Sequence, residues 1–491
     1  MTSLLALANL AGTFAVGLAA VACVQRAHLS APGAAALAAG AAYPIGALIV
    51  ATWMRALAAA GVSWSLPLVV VPTIAGIAAL AWMGRRGTLR SVPARIGSFL
   101  DSPHAGSARI VALVLLAWLA LRFAFLQFEA LARPPLPWEA WLDTASRGTV
   151  WYASRGIVPF VPAAEWIGER YLASQPPGHS LLPLLDAQLA FVIGNFDDTV
   201  IHSPWPMFWL SQALLVIGSM RSVGASAVAA LAAAAMVGTL PLSNAHAALG
   251  GTSALPLGTY LLLAAVFATR TATTRALADF AVVAAAVVGV VWSSRAGVLW
   301  VPVLLPIAAA AMRPAQAPRI VAGLVAIAAI AASALARLDP FAHGLAPGAP
   351  TPGMATVAEH ALLHGNWHLL AYAAVALAAL AWREWRAPSL VGLTGSVGIG
   401  VAVIAVFATT SAGRATIGVP GIVGQAMTAF APLLALWVAR VAWSWVRNSE
   451  AVSAKAEPSP RSAAGEASDA VEPVPRPGGV PPSSSSTVAA R

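Results

Sequence analysis

Long apolar stretches separated by short clusters of arginine set the pattern of this chain. The runs lie near 3–24, 33–54, 65–83, 110–127, 204–220, 223–241, 252–269, 276–293, 297–312, 320–336, 366–382, 390–410 and 425–446. A hydrocarbon core about 30 Å thick needs roughly 20 apolar residues per helix, and most of these runs come close to that length. Lipid offers no partner for backbone N–H and C=O groups, so segments of this kind predict helices rather than the strands of a barrel. The expected fold is all-α: a polytopic integral membrane bundle of about thirteen transmembrane helices.

The arginines orient it. Arg85, Arg86, Arg90, Arg95 and Arg109 fill one loop, and basic loops stay in the cytoplasm. Arg221, then Arg270 and Arg275, Arg313 and Arg319, Arg383 and Arg386, and Arg440 and Arg447 mark later turns on that same side. One apolar segment, residues 179–195, is short and contains Pro183 and Asp186. If it crossed the bilayer, every later loop would change sides and the arginines would lie outside. It is therefore read as a re-entrant or interfacial piece on the outer side.

This divides the chain into N-terminal transmembrane helices (1–127), an outer loop (128–203), a transmembrane core (204–447) and a tail (448–491). Within the outer loop, residues 128–178 alternate charged residues with Trp138, Trp141, Trp151 and Trp166, the pattern of amphipathic helices at an interface. A second outer loop covers about 339–364. The tail is rich in Ser, Pro, Ala and Glu and has too little apolar content to fold, so it reads as disordered and cytoplasmic.

Composition supports the class: 59% of the 491 residues are hydrophobic, 9% are charged, and mean hydropathy is +0.79. The net charge of +10 does not indicate nucleic acid, because the basic residues sit in gaps between apolar runs, where they meet anionic head groups. Cys23 is the single cysteine, which excludes an intramolecular disulfide. No basic region precedes the first apolar run, so that run is expected to be a retained helix.

The polar residues that remain are few. Glu139 and Asp143, four apart, would share a helix face, and Arg147 lies four further on. A carboxylate at the outer surface suits a general base acting on a hydroxyl; an interfacial helix with a surface ion pair would use the same residues. Asp186, in an apolar segment, is either a site residue or snorkels to the interface. Asp197 and Asp198 suit a metal, an amine or a solvated turn, and Asn244 and His246 follow Leu240-Pro241 at an outer helix end. Arg295 and Arg414 stand in outer turns against the charge trend, where a guanidinium fits a phosphate or snorkels. His343, His360, His364 and His368 near the second outer loop carry spacing compatible with a metal, with only Glu359 beside them.

Between about Arg133 and Trp300 these landmarks resemble bacterial GT-C membrane glycosyltransferases. Trp138-Glu139-Ala140-Trp141 stands for a Trp-Asp-x-Trp motif, and Arg147 falls at its basic position. Pro159-Phe160, Pro176-Pro177, Asp197-Asp198, Pro204-Trp205-Pro206 and the stretch Leu240-Pro241, Asn244, His246, Ala248, Gly250 match later landmarks. Ser253 replaces an aspartate of the family pattern, Ser294-Arg295-Ala296-Gly297 keeps only the Arg and Gly of Lys-Arg-Glu-Gly, and Gln425 stands where a basic residue is expected.

The resemblance implies transfer of a sugar from a polyprenyl-phosphate donor to an acceptor on the non-cytoplasmic side of the bacterial inner membrane. Glu139 and Asp143 would be catalytic. Arg147, Arg295 and Arg414 would hold the donor phosphate. Asp186, Asp197, Asp198, Asn244 and His246 would contact substrate. No cofactor is required by the pattern, and a divalent metal is left open. The departures keep a catalytically decayed scaffold that binds lipid phosphate or a partner as the alternative. A transporter fits less well, since the ionisable residues gather at the outer edge rather than at the midplane.

Overall fold

The computed structural model describes residues 1–26, 29, 31–86, 106–135, 140–158, 180–294, 296–338, 359, 367, 369–409 and 422–456. Among them the secondary structure is helical throughout, with no strand. The helices are α1 Thr2–Val24, α2 Ala34–Ala59, α3 Val71–Arg85, α4 Ser107–Ala132, α5 Ser146–Ser154, α6 Leu181–Ile193, α7 Pro204–Ser222 and α8 Ala227–Gly238. They continue as α9 Pro241–Leu249, α10 Ala254–Thr274, α11 Leu277–Ser293, α12 Leu305–Met312, α13 Ala317–Leu338, α14 Leu370–Leu380, α15 Val391–Thr409 and α16 Ile422–Ala456. Contacts gather Met1–Ser444 into one unit, beyond which α16 runs on to Ala456.

Among the described residues, six helices are long and apolar enough to cross a membrane: Thr2–Val24, Ala34–Ala59, Ser107–Ala132, Ala254–Thr274, Pro314–Ser333 and Gly424–Glu450. A seventh appears if α8 and α9, bent by 66° at their junction, form one span. The bend falls at Leu240-Pro241, where proline supplies no N–H to continue the helix. The apolar run 297–312 is likewise broken, into Gly297–Trp300, a 3₁₀ turn Val301–Leu304 that contains Pro302, and α12, which has Pro306 at its start. The lipid-facing character is plainest on α4, which exposes Ile110, Val114, Leu121, Phe125 and Phe128.

Small residues let the buried helices meet. A Cβ on Gly17 of α1 would lie 1.7 Å from the Ala42 carbonyl oxygen, and one on Gly46 of α2 would lie 1.9 Å from that of Thr13. The two backbones therefore touch, and only hydrogen fits between them. Larger side chains fill the rest: Tyr43, Trp205, Trp209, Phe208 and Tyr260 are fully buried. The Tyr260 hydroxyl donates to the Pro44 carbonyl at 2.7 Å and ties α10 to α2.

Polar links define two ends of this unit. At the first, where α1 and α10 finish and α11 starts, Asp279 is fully buried. It accepts from the Gln25 amide at 2.7 Å and the Thr274 hydroxyl at 2.5 Å, and the Arg270 Nε lies 3.5 Å away. Arg440 of α16 donates to the Ser219 hydroxyl near the end of α7 at 3.0 Å. Arg221, at the end of α7, and Arg270, near the end of α10, thus lie at one end of the unit. The opposite end carries the starts of α6, α7 and α10 and the close of α2, α4 and α11.

Two segments that the sequence sets apart are helical among the described residues. Within the apolar segment 179–195, Leu181–Ile193 form a helix of 13 residues, α6, in which Leu181 through Ala190 are all buried. Its rise of about 20 Å is short of a bilayer core. It is a short helix enclosed by others. Helix α16 continues past residue 448 to Ala456, and the rest of the tail lies outside the described residues.

Candidate functional site

The polar chemistry of the second end collects around α6. Asp186, two turns into this helix, is fully buried, and neither carboxylate oxygen has a hydrogen-bond partner. Helix α5 packs directly on it: a Cβ at Gly148 would lie 2.9 Å from the Asp186 Cβ, so a glycine is what allows this approach. The preceding residue, Arg147, is 4% exposed, an unusual burial for a guanidinium. On another side of α6, Gln188 and Asn9 of α1 exchange amide hydrogen bonds of 2.9 and 2.6 Å, a fully satisfied buried pair. At the start of α6, the Ser180 hydroxyl accepts from the Arg55 guanidinium of α2. That guanidinium lies 4.7 Å from the Trp292 ring of α11.

A second cluster adjoins the starts of α7 and α10. The segment after α4 enters it through a π-helical turn, Ala140–Ala145. Thr144 donates to the Gly251 carbonyl at 3.0 Å. Gly250 has φ +59° and ψ −177°, a conformation open only to glycine, and Gly251 has φ +81°. A Cβ on Gly250 would lie 2.3 Å from the His202 Cβ, and one on Gly251 would lie 2.1 Å from the Ala140 Cβ. The Trp205 indole donates to the Thr252 carbonyl at 2.7 Å, and the Thr252 hydroxyl lies 2.8 Å from the His246 Nδ1. Three segments far apart in sequence are thus stitched at one point.

His202 sits at their centre, 1% exposed. Its Nε2 is 3.1 Å from the Asp198 carbonyl, which can only accept, so that nitrogen carries the hydrogen. Nδ1 is buried without a partner. Burial lowers its pKa to about 4, against a smaller upward pull from the Asp198 carbonyl, so the ring is neutral at pH 7. Burial, and then the neighbouring Asp197, raises the Asp198 carboxyl above its usual range.

The sequence-derived candidates divide accordingly. Asp186 and Arg147 come together on the contacting pair α6 and α5. His246 joins the glycine turn through Thr252. Asn244 is engaged within the protein: its amide donates to the Gly238 and Leu240 carbonyls at 2.9 and 3.0 Å and accepts from Arg122 at 3.3 Å, so it secures the bend between α8 and α9. Asp197 closes a turn by accepting from the Thr199 N–H and hydroxyl at 3.0 and 2.6 Å. The Asp143 backbone belongs to the π turn, while its side chain, together with Glu139, Arg295, Arg414, His343, His360, His364 and His368, lies outside the described residues. Among the described residues no group of three His, Cys, Asp or Glu is placed to hold a metal.

Sequence reading missed Arg55 and His202. Arg55 ends an apolar run at the end opposite Arg221 and Arg270, and the charge trend that singled out Arg295 would have found it. His202 lies between the Asp-Asp and Pro-Trp-Pro landmarks, yet nothing in spacing shows that its ring meets Gly250. No protein-family model, curated protein or solved structure matches this chain.

Proposed function

We propose that the chain is an inverting glycosyltransferase of GT-C type that moves a sugar from a polyprenyl-phosphate donor to an acceptor hydroxyl on the non-cytoplasmic side of the bacterial inner membrane. The observation that carries the reading is the contact of α5 with α6. It sets a buried guanidinium, Arg147, beside the position packed on a buried partnerless carboxyl, Asp186. A lone carboxyl at such depth is costly unless a substrate or proton completes it. The landmarks on which the resemblance rests support the same conclusion, because Ala140, Trp205, His246 and Gly250 belong to one cluster.

In this reading the acceptor oxygen attacks the anomeric carbon while the bond to the phosphate oxygen breaks, and the bonding pair leaves with polyprenyl phosphate. Glu139, with Asp143 behind it, takes the acceptor proton. Arg147, Arg295 and Arg414 balance the charge that grows on the departing phosphate, where fixed donors count most. Asp186, Asp198 and His246 line the way to the sugar. The bundle has about thirteen membrane segments, with the shorter apolar helices counted, and its tail is cytoplasmic.

Transfer of labelled sugar in membranes from expressing cells tests this. Glu139→Ala and Arg295→Ala should each abolish transfer, and unchanged transfer in both would refute the assignment. A second reading, a decayed scaffold that binds lipid phosphate without turnover, draws on Ser253, which stands at the start of α10 where the family pattern has a carboxylate. Retained polyprenyl-phosphate binding with no transfer of any sugar would favour it.

A further inference from the structure

We infer that Arg55 is a phosphate-binding residue, holding the phosphate of a lipid-linked substrate where α2, α6 and α11 meet. This rests on the glycosyltransferase reading and names a residue in it that the resemblance does not supply. Arg55 lies four residues before the end of α2, half-buried, at the end of the unit that carries the α6 site. One terminal N–H donates to the Ser180 hydroxyl, and the guanidinium lies against the Trp292 ring. Among the described residues it has no other hydrogen bond and no carboxylate partner.

An arginine carries five N–H donors in a rigid fork. Here one is engaged by a neutral hydroxyl, which leaves the charge and the remaining donors for a ligand. The Ser180 and Trp292 contacts hold the side chain in place, so little freedom is lost when an anion docks. A tetrahedral phosphate matches the fork in charge and in bidentate geometry. Position agrees. Ser180 stands just before the first residue of α6, and Asp186 lies six residues along, a rise of about 9 Å, which is the scale of a sugar attached to a phosphate. Trp292 is three residues before Arg295, the guanidinium that the resemblance assigns to the donor phosphate. A cation at this end also runs against the arginine bias of the opposite end, so orientation in the membrane does not account for it.

The experiment measures binding of polyprenyl phosphate, of the neutral polyprenol and of phosphatidylglycerol to the full chain in nanodiscs. The unmodified protein should prefer polyprenyl phosphate over polyprenol. Arg55→Gln, which keeps a donor toward Ser180, should lose about ten- to hundredfold in polyprenyl-phosphate affinity, with polyprenol binding unmoved. Arg55→Lys, which keeps the charge without the fork, should recover only part. If Arg55→Gln perturbs folding, Trp292→Leu, which removes the ring behind the guanidinium, should still weaken binding of the phosphate over the alcohol.

Unchanged polyprenyl-phosphate affinity in Arg55→Gln overturns the inference and leaves the glycosyltransferase reading intact. Equal binding of polyprenyl phosphate and polyprenol by the unmodified protein overturns both. Arg55-dependent binding of phosphatidylglycerol, as tight as that of polyprenyl phosphate, upholds a phosphate site at Arg55 and counts against a polyprenyl-linked donor.

Discussion

Gly250→Ala strikes the point where the three segments of the second cluster are joined, and its cost can be worked out in two parts. Gly250 holds φ +59° with ψ −177°, and placing an alanine there costs about 1–3 kcal/mol in backbone strain. The new methyl would also lie 2.3 Å from the His202 Cβ and 2.8 Å from its Cγ. Displacing a fully buried ring adds a further overpacking cost of about 1–3 kcal/mol. The expected loss is therefore about 2–6 kcal/mol, large against the 5–15 kcal/mol of a typical fold.

Two other glycines separate the parts. Gly61 has φ +70° with nothing within 4 Å of an added Cβ, so Gly61→Ala carries backbone strain alone, about 1–2 kcal/mol. Gly84 lies in α3 with open space around it and no positive φ, so Gly84→Ala should be neutral or gain up to about 1 kcal/mol. Unfolding by sodium dodecyl sulfate in mixed micelles, followed by tryptophan fluorescence, ranks the three. If Gly250→Ala costs no more than Gly61→Ala, His202 does not pack on that turn and the described cluster is wrong.

Asp279→Ala strips the acceptor from Gln25, Thr274 and Arg270 at once and should cost about 3–5 kcal/mol in the same unfolding assay, while Asp279→Asn costs less. Asp186→Leu removes a buried carboxyl with no partner, so it should leave stability unchanged or raise it by about 1–3 kcal/mol while abolishing sugar transfer; a destabilised protein would mean that Asp186 is structural. His202 is held neutral in the fold at about pH 4 and titrates near 6.5 when unfolded, so the unfolded chain binds more protons between those values. Stability should fall as pH drops from 6.5 to 4, and His202→Gln should remove up to about 3 kcal/mol of that fall; the Asp198 carboxyl, raised by burial, acts in the opposite sense in both proteins.

Fold class was readable because lipid imposes it: a segment such as Thr2–Val24 is predominantly apolar, and its backbone has no choice but a helix. Breaks were readable in kind but not in place. Pro241 and Pro302 advertise interruption, yet the 66° bend depends on how Asn244 anchors to Gly238. The burial of α6 was hidden, because its leucines would look the same against lipid as against neighbours; only Gln188 facing Asn9 settles the matter, and that pairing spans 179 positions. Asp186 was legible as a costly charge, and Arg147 as a basic position in the charged segment before it. Their association through Gly148 was not, since it depends on a helix crossing that no local pattern encodes. His202 escaped notice for the same reason.

The account stands or falls on the sidedness of the end that carries Arg55, Asp186 and the glycine turn. Cys23→Ser leaves a background without cysteine, and single cysteines can be placed at exposed positions: Arg133→Cys and Arg155→Cys for that end, Arg275→Cys for the other. A membrane-impermeant maleimide applied to intact spheroplasts should label the first two and spare the third until the membrane is opened. Labelling of Arg275→Cys alone would put the candidate site in the cytoplasm and contradict transfer on the outer face.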